Sequence, residues 1–172
     1  MKKIVAILIL AVLGCMAKAD QIRIVVYKEK RVLELWRADA IITTYKVGLG
    51  FAPVGKKLKS GDGKTPEGSY YVCVKNPNSK FYLSLGISYP SPSDAQTGLD
   101  SKLITKDEYS RIVSAQRKGV TPPWNTKLGG EIFIHGRGSS SDWTWGCVAL
   151  DDSEMKELFQ IVEVGTVVEI KK

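Results

Sequence analysis

With 172 residues, 44% of them hydrophobic and 25% charged, the chain has the make-up of one globular domain with its own core, which excludes intrinsic disorder and two full-sized domains. It carries a formal charge of +7, one histidine and three cysteines. A single imidazole without a C-x-x-C pair argues against a zinc site, and no aromatic–basic motif offers nucleic acid a recognition element.

The N-terminus reads as a targeting segment. Lys2 and Lys3, the apolar run Ile4 to Leu13 and the Ala17-Lys18-Ala19 site form the three regions of a secretory signal. Residues 1–19 are therefore expected to be a signal peptide and residues 20–172 the working domain. The apolar run is too short to span a bilayer as a helix. Val12-Leu13-Gly14-Cys15 gives a competing reading, a lipoprotein signal ending before Cys15 that would leave the domain lipid-anchored. The short tether from Cys15 to Ile22 favours cleavage after Ala19. Both readings export the protein to the periplasm or cell envelope. Loss of Lys2, Lys3 and Lys18 lowers the charge from +7 to +4, and such a mildly basic surface suits an acidic polymer or an anionic membrane surface.

The remainder is mostly short strands. IRIVVYK (22–28) and RVLELWR (31–37) alternate as a hairpin around Lys28–Lys30, and IITTYKVGLG (41–50) supplies a third strand. A lysine- and glycine-rich loop with tight turns at Gly61-Asp62-Gly63 fills 52–68, and a strand starts at Ser69. In that strand Tyr71, Cys73 and Lys75 share one face and Tyr70, Val72 and Val74 the other. Cys73 is expected to pack as a small hydrophobe, although an oxidising compartment would permit a disulfide with Cys147. KFYLSLGISYP (80–90) is another strand, closed by the proline–serine run YPSPSDA. Thr105-Lys106-Asp107-Glu108 fits a capping box opening a helix toward Lys118, stopped by Gly119 and Pro122-Pro123. EIFIH (131–135) is a short strand. Asp151, Asp152 and Ser153 offer caps for a helix bearing Met155, Leu158, Phe159 and Val162 on one face, and TVVEIKK is the last strand. Strands in runs, with little βαβ alternation, predict a mainly β fold with minor α: a sandwich or partly closed barrel with one or two packed helices.

The chemistry concentrates in IFIHGRGSSSDWTWGCVALDD (132–152). A cysteine nucleophile needs a base beside it, and His135 is the one side chain with a suitable ordinary pKa. A strand ending at His135 and a loop returning to Cys147 let the two meet. Gly136 and Gly138 leave room for a backbone carbonyl to orient the imidazole, and the N–H groups of Trp145, Gly146 and Cys147 could face an oxyanion. A packed cysteine and an unrelated surface histidine remain the plain alternative. Trp143 and Trp145 either wall the cleft or anchor the loop, and Asp142 either steers the loop or sits near the histidine.

IHG followed by SSSDWTWGCVAL resembles the signature of the L,D-transpeptidase catalytic domain (YkuD type). GDGKTPEGSYYV (61–72) and NPNSKFYLSLGISYP (76–90) resemble two further segments of that family, in the same order. The resemblance implies a fold of that type, Cys147 as nucleophile, His135 as base, the carbonyl of Gly136 holding the imidazole, and an oxyanion hole of backbone amides at Gly146 and Cys147. Substrate contacts fall to Arg137, Trp143 and Thr144. The partner it implies is a peptidoglycan stem peptide, attacked between its third residue (meso-diaminopimelate in many bacteria) and the terminal D-alanine, through a thioester resolved by an amine of a second stem. No metal or cofactor is implied, and the domain is expected to act as a monomer. Trp145 and Ala149 depart from the family's usual histidine and arginine-type positions around the cysteine, so a substrate carboxylate needs another partner, Arg137 or a lysine of the 56–64 loop. Water as acceptor, giving an L,D-carboxypeptidase or amidase, and a non-catalytic wall-binding domain are the alternatives.

Overall fold

The computed structural model describes residues 21–172, so the expected signal peptide, the lipoprotein box and Cys15 lie outside the described residues. Alternating sequence becomes alternating burial. β1 (Ile22–Tyr27) and β2 (Val32–Arg37) form an antiparallel hairpin in register from Ile22 opposite Arg37 to Tyr27 opposite Val32. β3 (Ala40–Lys46) continues it, with an irregularity at Leu35/Trp36. β4 (Gly68–Ser79) and β5 (Tyr82–Ile87) pair antiparallel, and β6 (Phe133–His135) runs antiparallel to β5. β7 (Val148–Ala149) lies parallel to β6, whereas β8 (Val167–Lys171) sits between β1, to which it is parallel, and β4. The eight strands form one sheet in the order β3-β2-β1-β8-β4-β5-β6-β7.

Its two edges meet. Just past β3, Gly48 and Ala149 exchange backbone hydrogen bonds of 2.9 and 2.8 Å. Phe51 N–H donates to Thr144 O at 2.9 Å and Thr144 N–H to Leu49 O at 3.1 Å. Backbone groups that an open sheet would leave exposed are thereby paired, and the sheet curls into a partly closed barrel. Its interior is filled by one side of each strand, including Ile24 and Val26, Leu33 and Leu35, Leu85 and Ile87, and Val168 and Ile170, all at most 2% exposed.

Three helices complete the fold. α1 (Pro92–Asp100) starts inside the run read from sequence as a strand-closing loop, because Ser91-Pro92-Ser93-Asp94 is itself a capping box: the Ser91 hydroxyl accepts from Asp94 N–H and the Asp94 carboxylate from Ser91 N–H. α2 (Lys106–Arg117) is capped by Thr105 and Glu108 as its sequence predicts, and packs with α1 on a satellite core of Ala95, Ile104, Ile112 and Leu128. α3 (Asp152–Ile161) buries Met155 and Leu158 against the main core. Among the described residues no helix is long and apolar enough to cross a membrane.

The long 47–67 segment is held by one buried cation. Lys28, at the end of the first hairpin strand, donates to Gly55 O (2.7 Å), Thr65 O (2.9 Å) and Glu67 Oε1 (2.7 Å), and its side chain is 3% exposed. Each ammonium proton thus has an acceptor, the condition under which a buried charge is tolerated. Lys28→Met strands the Glu67 carboxylate and two carbonyls. It should cost about 3 kcal/mol, a fall in Tm on the order of 10 °C by circular dichroism. Lys28→Met/Glu67→Gln should recover part of that loss, and equal losses in both would contradict the pairing.

Candidate active site

The end of β6 and the start of β7 build the site. Their register sets Ile134 beside Val148 and His135 beside Ala149, which puts Cys147 alongside Phe133. Side chains two apart on a strand share a face, so Phe133 and His135 project from the face opposite to buried Ile134. Cys147 and His135 accordingly line one cavity of about 500 Å³ with Phe81, Ser84 and Lys80. A second cavity of about 270 Å³, lined by Lys57, Ser60, Gly130 and Trp145, opens on the other side of Cys147, and Glu131 borders both.

The 136–147 connection has no regular structure of its own and is fixed from three sides. Asp142 accepts Arg31 Nε at 3.0–3.1 Å, an Arg31 terminal nitrogen at 2.8 Å and Leu49 N–H at 2.9 Å, so it steers the loop against the first hairpin and the segment that follows β3. The two aspartates at the start of α3 hold the other end. Asp151 accepts from Ser139 N–H (3.0 Å) and Oγ (3.2 Å), and Asp152 from Arg137 N–H (2.8 Å). A Cβ on Gly136 would lie 2.4 Å from Asp152 Oδ1, so any other residue there must displace the carboxylate that holds Arg137 N–H. Gly146 has φ +123, and a Cβ there would lie 2.6 Å from Lys64 O.

His135 is 3% exposed, stacked on Phe81 (4.7 Å between centroids, 29°) and flanked edge-on by Trp143 (5.6 Å, 67°). Its Nδ1 lies 2.7 Å from Gly136 O. A carbonyl only accepts, so the proton sits on Nδ1 and Nε2 keeps its lone pair. Burial lowers the imidazole pKa below its ordinary value, partly offset by the Gly136 bond. The Cys147 thiol is half-buried; its sulfur accepts Phe133 N–H at 3.4 Å and its proton reaches Glu131 O at 3.7 Å. Burial pushes the thiol up to about 11, against the smaller downward pull of Phe133 N–H and the Lys57 charge. Both shifts favour a neutral thiol and a neutral imidazole.

The remaining residues singled out by sequence divide. Trp143 covers the imidazole and donates Nε1–H to Gly138 O at 3.1 Å. Trp145 is 68% exposed, edge-on to Phe51 at 4.9 Å, and borders the smaller cavity. Thr144 faces inward, 3% exposed, donating to Cys147 O (2.8 Å) and accepting Gly146 N–H (3.1 Å), so it braces the turn and occupies that amide. Arg137 is exposed at φ +79 and borders neither cavity. Cys73 and Cys147 are both free thiols, and Cys73 Sγ lies 3.4 Å from Gly86 O. No group of three His, Cys, Asp or Glu among the described residues is arranged to hold a metal.

Phe81 and Glu131 join the site without having been singled out, and Lys57 is the lysine of the 56–64 loop that borders it. Phe81 lies in a segment that reads as plain strand, and Glu131 and Lys57 are ordinary charged loop residues until the barrel closes. Thr65, from the Thr-Pro-Glu-Gly stretch, accepts Gly50 N–H at 3.0 Å and donates to Cys147 O at 3.4 Å, which ties that stretch to the cysteine turn.

Comparison with known proteins agrees with this architecture. The family model of the L,D-transpeptidase catalytic domain (YkuD) matches residues 21–170. YafK of Escherichia coli K12, a protein of L,D-transpeptidase name, is 29% identical over 85 residues, covering 46% of this chain and 35% of YafK. The helical cell shape determining protein Pgp2 of Campylobacter jejuni shares the fold with TM-score 0.60 at 21% identity, over 88% of this chain and 48% of Pgp2. Bd1075 of Bdellovibrio bacteriovorus gives 0.55 at 22%, over 88% and 48%. An L,D-transpeptidase of Mycobacterium smegmatis gives 0.53 at 9%, over 88% and 59%. The chain thus spans about a third of the curated relative and about half of these solved proteins. It belongs to the L,D-transpeptidase catalytic domain family.

Proposed function

We propose that the protein is an exported cysteine L,D-transpeptidase that cuts and rejoins peptidoglycan stem peptides through a thioester on Cys147, with His135 as its base. The observation that carries this reading is the shared cavity of Cys147 and His135, with the imidazole held through Nδ1 so that its lone pair is on Nε2. The family membership supports the reaction class, and the leader pattern of residues 1–19 supports export.

In this mechanism Cys147 Sγ attacks the carbonyl carbon that follows the third residue of the stem, while its proton passes to His135 Nε2. The oxygen becomes an oxyanion facing the Cys147 N–H and the N–H of the Trp145 turn, since the Gly146 N–H is taken by Thr144. Collapse breaks the C–N bond, and the departing amine of D-alanine takes the proton from His135. An acceptor amine then loses a proton to Nε2 and attacks the thioester. The proton returns to sulfur as the thiol leaves, so atoms and charge balance over the cycle. Water in the acceptor's place would release a tripeptide.

Incubation of the purified protein with disaccharide tetrapeptide should release D-alanine and give cross-linked dimers by mass spectrometry. Tripeptide alone would replace transfer with hydrolysis at the same site. Cys147→Ala and His135→Ala should each lower D-alanine release by at least about a thousandfold, and a Cys147→Ala protein that keeps its rate would sink the proposal.

The acid limb of kcat/KM should fall below pH 6.5, because His135, lowered by burial, must be unprotonated to accept the proton. Activity is thus lost as pH falls through that pKa and present above it. Alkylation of Cys147 by iodoacetamide at neutral pH should be slower than that of a free cysteine and accelerate toward pH 11, following the thiol raised to about 11. A fast rate already level at neutral pH would mean a resting thiolate–imidazolium pair and contradict the neutral one.

A further inference from the structure

We propose that Lys57 is the carboxylate contact of the smaller cavity, selecting acyl donors that carry an anionic group on the residue whose carbonyl Cys147 attacks; this rests on the acyl-transfer reading above. The two cavities divide the substrate. His135 borders only the larger one, and the group that gives a proton to the leaving amine must stand beside it. The leaving amine and whatever replaces it therefore belong to the larger cavity, and the acyl side to the smaller.

Lys57 is the one lysine or arginine bordering that smaller cavity among the described residues, and its side chain is 3% exposed. Two of its three protons are committed, to Asp62 Oδ1 at 2.8 Å and Lys59 O at 3.0 Å. An ammonium has three donors, so one remains. The Tyr89 ring, 6.0 Å away, stands at the outer limit of a cation–π contact and does not use it.

Asp62 is not committed to Lys57 alone. Its Oδ2 accepts Leu58 N–H (2.8 Å) and Lys59 N–H (3.1 Å), and its Oδ1 accepts Lys64 N–H (3.1 Å) as well as Lys57. The carboxylate is shared with three backbone amides that fold the loop, and the Lys57 charge still acts on Cys147, whose thiol it pulls down. The other cationic candidates lie elsewhere. Arg137 is exposed and borders neither cavity, and the Lys56 ammonium is paired with Asp94 at 2.9 Å.

Two tetrapeptide donors test this, with meso-diaminopimelate or L-lysine at the third position, which differ by the one carboxylate. The wild-type kcat/KM should favour the carboxylate-bearing donor at least about tenfold, the worth of one charge-assisted hydrogen bond. Lys57→Gln should bring that ratio to within about threefold of unity, mainly through KM. Because Lys57→Gln leaves Asp62 without its cation, Lys57→Gln/Asp62→Asn is measured beside it, with the same collapse expected. No preference in the wild type, a preference surviving both variants, or an equal loss for both donors would each overturn the proposal, the last assigning Lys57 to loop structure or to the oxyanion. The same ratio read as Kd on Cys147→Ala protein needs no turnover. A chain that bound the two donors selectively through Lys57 but processed neither would therefore count against the acyl-transfer reading and not against this contact.

Discussion

The site depends on one strand pairing, the parallel contact of β6 with β7. A parallel pair cannot be joined by a tight turn, because the chain must return to the same end of the sheet. Residues 136–147 make that return without a helix, and a loop of this length would ordinarily be mobile. Here it is tied to the first hairpin through Arg31 and Asp142, to α3 through Asp151 and Asp152, and to the segment after β3 by the Thr144 backbone bonds. The bonds that close the barrel are thus the bonds that fix the height of Cys147 against His135.

That arrangement accounts for the glycines and for the placement of polar side chains. The loop can lie close to the sheet only where no Cβ intervenes, and its own amides must find partners once water is excluded. Thr144 fills that need at Gly146, and Thr65 does the same for Gly50 while reaching Cys147 O. Both hydroxyls sit beneath the cysteine turn rather than in the cavities. They act on geometry, and Trp145 is the member of the turn that meets solvent.

Much of this was legible in the sequence. Period-two alternation marked most strands, and Thr105 with Glu108 marked α2, because both signals are local. His135 and Cys147 stood out by residue chemistry and by the segments around them. α1 was hidden because Pro92 and the serines beside it read as a loop, although Ser91 and Asp94 are a capping box. The two-residue β7 is too short to carry a period and exists only because β6 and Gly48 lie on either side of it. Glu131 is indistinguishable from a solvated loop charge, and Lys57 from the other lysines of its loop, until distant segments converge, and the burial of Thr144, expected as a substrate contact, is a tertiary fact.

The electrostatics of the pair follow from the same packing. Phe81 and Trp143 shield His135 and favour the neutral imidazole, while burial raises the thiol and Glu131 adds to that. A site built this way favours the uncharged thiol and imidazole, and in the proposed acyl transfer proton movement then accompanies attack rather than preceding it. Desolvation that disfavours an isolated thiolate also strengthens any hydrogen bond offered to an oxyanion, because both effects come from the exclusion of water. The desolvation that raises the Cys147 thiol is then compatible with the proposed acyl transfer. In that proposal the carbonyl that takes up the negative charge meets the positions that stabilise it as it enters, and the imidazole needs only to collect the proton.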